Sequence, residues 1–173
     1  MLPPFHPGVA YLLYAPYTRL VHDETPTGVP TLALIVGSVL PDLVDMPLHY
    51  LAGAPSTRTV AHSAFTGVAL SALVLLASYR LLGDSRPGEG FAVGYLSHLL
   101  ADAVWPLVFW NPGELRYLGW PFTQQPPYEG VQPLVTVGEF TVTTVWVEAV
   151  LLAIAFVLWW RDGRPGLQYV RRR

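Results

Sequence analysis

His98 and Asp102, two residues able to bind a metal or move a proton, lie four positions apart in GYLSHLLADAVWP, Gly94 to Pro106. On a helix turning about 100° per residue, that offset leaves the two side chains within about 40° of one another. Both therefore face one way out of an apolar stretch. An ionisable group inside a membrane span costs roughly 2.5 kcal/mol or more unless it is paired, hydrated or coordinated, so Asp102 requires a partner. A second set sits in PDLVDMPLHY, where Asp42, Asp45 and His49 fall within an arc of about 60° if the segment stays helical after Pro41. Pro47 works against that geometry, and a loop acid plus a helix cap is the competing reading of the window. His62, followed by Ser63, opens another apolar segment, and Glu148 lies within the last one.

Collected, His62, His98, Asp42, Asp45 and Asp102 make two imidazoles and three carboxylates, with His49 as a further candidate ligand. That donor set suits a divalent metal, zinc first, with manganese or iron(II) as alternatives. A metal-activated water would be the nucleophile, the ion lowering its pKa towards ~7, and Asp45 or Glu148 would be the general base. The plainer readings are that His98 is a hydrogen-bonded core histidine, which Asp102 one turn away argues against, and that Glu148 is a helix-packing hydrogen bonder. His6, His22 and His49 each read individually as non-ligands, His49 being the strongest of them. Ser63 and Ser97 read as cap or packing residues, since neither has a GxSxG setting. The chain has no cysteine, which removes thiolate metal sites, disulfides and cysteine nucleophiles.

The elements that must hold these residues are membrane-like. Of 173 residues, 52% are hydrophobic and only 13% charged, against roughly 25% charged in a soluble protein. The net charge of −2 offers nucleic acid no general attraction. Phe5 to Val21 is apolar but short and interrupted by Pro7 and Pro16, so whether it spans is left open. Thr31 to Leu40 gives ten clean residues, which predicts a helix broken at Pro41. Ala61–Leu82, Phe91–Trp110 and Phe140–Trp160 are three candidate spans. Residues 111–138 hold five prolines and four glycines, with Tyr117, Trp120, Phe122 and Tyr128 suited to an interface or a lid. After the last span, residues 161–173 form a basic tail, which the positive-inside rule puts in the cytoplasm. Counting back, Asp42, Asp45, His49 and His62 fall at outer helix ends, and Asp102 about 12 Å below one.

These blocks resemble a known family, the membrane-bound metal-dependent hydrolases described as LexA-binding, inner-membrane-associated hydrolases. GSVLPDLVD is similar to its LPDxD block, RTVAHS to its HRGxTHS block, GYLSHLLAD to its G-x-x-SHLLxD block, and Trp120–Pro121 to its later WP element. His6 corresponds to a histidine of the family's first helix. The family in turn is similar to zinc-dependent phospholipase C and P1 nuclease, whose histidines and aspartates hold zinc for phosphoester cleavage. Met46, Thr57 and Ala61 depart from the pattern, and the first two stand where the family carries histidine.

The expectation is one all-α, polytopic membrane domain over residues 1–173, with four to five helices and broken or short segments near the site. Its function would be metal-dependent hydrolysis of a phosphoester or lipid-type substrate in the inner membrane. The alternative is a non-catalytic membrane protein whose metal or polar cluster holds helices together or binds a partner. The implied partner is the lipid bilayer.

Overall fold

A computed structural model of the chain describes residues 3–123 and 142–170, and among these every regular element is helical. A short 3-10 turn leads into α1 (His6–His22), followed by α2 (Gly28–Ala52), α3 (Ala64–Leu82) and α4 (Arg86–Val108). A 3-10 segment (Pro112–Gly119) precedes α5 (Val142–Arg161) and the short α6 (Leu167–Val170). The all-α, polytopic expectation holds. Four helices, α2, α3, α4 and α5 from Thr144 onward, are long and apolar enough to cross a membrane. Tyr128, Phe140 and Arg171 to Arg173 lie outside the described residues.

One expectation is overturned. α2 does not break at Pro41, but runs helical through Pro41 and Pro47 until Gly53, whose left-handed φ of 72° ends it. A proline removes one intrahelical bond, whereas ending a helix inside an apolar bundle would leave several backbone groups unpaired. Continuity also turns the short apolar run into a span of 25 residues, about 37 Å. α1 likewise continues through Pro16.

Close backbone approach fixes the centre of the bundle. A Cβ on Gly90 would strike the Pro30 carbonyl, one on Gly94 the Leu34 carbonyl, and one on Gly37 the Phe91 carbonyl. Small residues are what allow helices to touch this closely where lipid gives no hydrophobic drive to associate. The contacts advance together, 30 with 90, 34 with 94 and 38 with 98, so α2 and α4 run parallel. α3 is antiparallel to α4, since Gly88 meets Leu75 while Gly67 meets Leu99. α1 is antiparallel to it as well, its start beside Asp102 and its end beside Glu89. The most apolar stretch of α4 is 56% buried against 17% for that of α3, which makes α4 the central helix. The start of α1, the later halves of α2 and α4, and the approach to α3 therefore meet at one end of the bundle.

Candidate metal centre

His98 is held from α2. Its Nδ1 lies 2.7 Å from the Ser38 carbonyl oxygen, an acceptor, so Nδ1 carries the proton and Nε2 keeps its lone pair. His62 is held in the same manner, its Nδ1 2.8 Å from Asp45 Oδ2, which again leaves Nε2 unprotonated in the neutral ring. The two Nε2 atoms face each other at 3.1 Å. Asp42 Oδ1 lies 3.4 Å from His62 Nε2 and 3.8 Å from His98 Nε2, while Asp102 Oδ2 lies 3.6 and 4.0 Å from the same atoms. His62 Nε2, His98 Nε2 and Asp42 Oδ1, mutually within 3.8 Å, repel unless a cation or a proton sits among them. Metal bonds of about 2.0–2.1 Å in a tetrahedral shell put ligand atoms about 3.3–3.5 Å apart, close to these separations.

A fifth group joins from α1. The His6 ring stacks on His98 with centroids 3.8 Å apart, and its Nε2 is 3.4 Å from Asp102 Oδ1. Neither ring nitrogen of His6 makes a hydrogen bond among the described residues, although the residue is 1% exposed. A buried imidazole without partners is costly, and coordination is one way to satisfy it. The donors are thus all nitrogen and carboxylate oxygen, a set that fits zinc, manganese or iron.

Asp45 stands behind this point rather than at it. Its oxygens accept from Thr59 N and Oγ1, Ala61 N, and His62 N and Nδ1, all within 3.1 Å. Wholly buried, this carboxylate folds residues 59–62 around itself and aims the His62 ring. As a direct ligand or general base it would have to surrender those bonds. Burial works against charge on His62, but the Asp42 and Asp45 hydrogen bonds outweigh it and hold the imidazole above its ordinary range.

The other expected residues fall elsewhere. His49 sits in the last turn of α2 with Nδ1 2.6 Å from the Ala54 carbonyl, closing the helix end instead of joining the cluster. Glu148 accepts from Trp105 Nε1 at 2.8 Å, a contact between α5 and α4. Ser63 caps α3 through Phe65 N and also donates to the Trp120 carbonyl, tying the WP element to the site's edge. Ser97 donates to the Gly94 carbonyl within α4.

Three neighbours carried little signal in the sequence. Arg58, which the sequence offers only as a charge, has its Nε 2.9 Å from Asp102 Oδ2. Its guanidinium lies 5.4 Å from the centre of the Tyr117 ring, and Tyr117 in turn meets His62 edge-on. Burial pushes the Tyr117 phenol well above its usual pKa, so it stays a neutral donor. His6, thirty-six positions ahead of Asp42, has only its resemblance to a first-helix histidine to recommend it.

A sequence model for the YdjM inner membrane protein matches residues 1–165. The chain belongs to the YdjM inner membrane protein family. That match extends over all the residues of the cluster and agrees with four apolar helices of spanning length. In this YdjM family member Asp42, His98 and Asp102 lie on helices long and apolar enough to cross a membrane. No curated protein and no solved structure matches the chain.

Proposed function

We propose that this YdjM family member is a membrane-embedded, metal-dependent hydrolase acting on a phosphoester or lipid-type substrate. The observation that carries the reading is the pair of Nε2 atoms 3.1 Å apart, with Asp42 Oδ1 within 3.8 Å of both. His62, His98, Asp42 and Asp102 would hold the ion, zinc first, with His6 beside them. When bound, such an ion supplies a Lewis acid and an acidified water, the chemistry of phosphoester hydrolysis.

The residues behind it do the positioning. Asp45 fixes the His62 tautomer and orientation, and the Ser38 carbonyl does so for His98. Arg58 balances the charge of Asp102. Orientation follows the charges: with Arg161 and Arg164 on the cytoplasmic side, the cluster faces the other leaflet.

A structural metal is the competing reading, favoured by the way Asp45 and His62 organise the 59–62 turn. Chelation separates the two. A catalytic site loses phosphodiesterase turnover while helicity by circular dichroism is retained; a structural one unfolds with loss of the ion. Hydrolysis that persists in fully chelated, helical protein overturns the catalytic proposal.

A further inference from the structure

The imidazoles and carboxylates sort into two candidate triads, His6, His98 and Asp102 on one side and Asp42, His62 and His98 on the other, each with its ligand atoms within 4.8 Å of one another. Taken separately they suggest two ions. Both triads, however, need His98, and His98 has one nitrogen to give. Its Nδ1 is committed to the Ser38 carbonyl at 2.7 Å, and the remaining Nε2 has a single lone pair, which binds a single ion. The triads are therefore overlapping halves of one site.

A second cation already stands beside Asp102. Arg58 Nε lies 2.9 Å from Oδ2, a place a second divalent ion would have to share with a fixed positive charge. The guanidinium also has capacity to spare. Its two Nη groups form no hydrogen bond among the described residues, and the side chain is 25% exposed, open enough for a ligand to reach. Beneath it lies Tyr117, whose hydroxyl is buried without a hydrogen-bond partner among the described residues. A guanidinium presents parallel N–H donors that match two oxygens of a phosphate, which an ammonium does not. A buried, unsatisfied phenol nearby adds a neutral donor.

We propose that the cluster binds one metal ion, and that Arg58 takes the role a second ion would have, receiving with Tyr117 an anionic oxygen of a phosphate-containing substrate. This rests on the metal reading above and sharpens it, since it sets the ion count and names phosphate as the recognised group.

The test uses the full chain in detergent, stripped of metal and titrated with Co²⁺, the visible spectrum giving the endpoint, followed by titration of the loaded protein with inorganic phosphate. The expected endpoint is one equivalent. Arg58→Gln should keep that endpoint and lose phosphate affinity by roughly tenfold or more, with Arg58→Lys between the two and Tyr117→Phe losing less. An endpoint of two equivalents in the unaltered chain overturns the single-ion site while leaving the metal reading intact. Phosphate affinity unchanged in Arg58→Gln overturns the role of the arginine. No cobalt bound at all overturns the metal reading and this inference with it. The count in the unaltered chain decides the first point even if Arg58→Gln fails to fold.

Discussion

The two ends of the bundle both carry histidines and acids, yet they solve the problem of buried charge in opposite ways. At the end away from the cluster Glu24, Asp84, Glu89 and Asp162 each have a donor. Glu89 accepts from Tyr17 and Ser85 and lies 2.6 Å from His22, Arg19 pairs with Asp162, and Arg86 pairs with Glu24. Nothing there calls for a ligand; it is a polar belt that closes the bundle. At the other end acceptors outnumber donors at one point, with His62 Nε2, His98 Nε2 and Asp42 Oδ1 mutually within 3.8 Å. The same residue types are structural where donors and acceptors are matched, and become a candidate metal site where they are not.

Substituting one histidine at each end should break the symmetry most visibly. His62→Ala is expected to weaken zinc binding by more than about a hundredfold, since each ligand carries a share of a total binding energy of roughly 10 kcal/mol or more. His22→Ala should leave it within about twofold. Competition titration against a coloured chelator measures both, and equal losses would dissolve the contrast.

Asp45→Asn comes next. The amide keeps the shape but loses the charge behind His62, and a change of this kind costs about 10- to 100-fold in metal affinity. The same titration checks it, with unchanged affinity counting against the orienting role. pH gives a related effect. Because the His62 pKa is raised, a proton competes for Nε2 even above the ordinary range near 6.5, so zinc affinity should fall as pH drops from 8 to 6. In the metal-free protein the sense reverses. A raised folded-state pKa stabilises the fold fully below the unfolded value and loses that contribution as pH rises through the folded one. That contribution is read as the difference in melting point between the metal-free protein and its His62→Gln variant, which should be larger at pH 5.5 than at pH 8.

Packing supplies a smaller effect. Gly94→Ala puts a methyl against the Leu34 carbonyl and should cost about 1–3 kcal/mol, read as a lower thermal midpoint in detergent. Smallest of all, Arg86→Gln removes a half-exposed pair with Glu24 and should cost less than about 1 kcal/mol with no change in metal binding.

How much of this could be read from the residues alone follows from what is local. The spacing of His98 and Asp102 is a property of one helix, so their shared face was legible, and so was the low charge that marks a membrane protein. His62 and Asp42 were legible as polar residues at the ends of apolar runs. Asp45 was legible as part of the site but not as an orienting residue, because its five donors come from a turn fourteen to seventeen positions away. His6 and Arg58 enter only when α1 and the 53–63 connection pack against α4, and no periodicity records that. α2 departs from the local signal for the opposite reason: Pro41 favours a break, but the apolar surroundings make a continuous helix the better solution.

The most direct measurement is the metal content of the chain purified in detergent, set beside that of the His98→Ala/Asp102→Ala double variant. The expected result is one divalent ion per chain in the first and close to none in the second, with comparable helicity. Equal and near-zero metal in both, after exposure to zinc, would contradict the central claim.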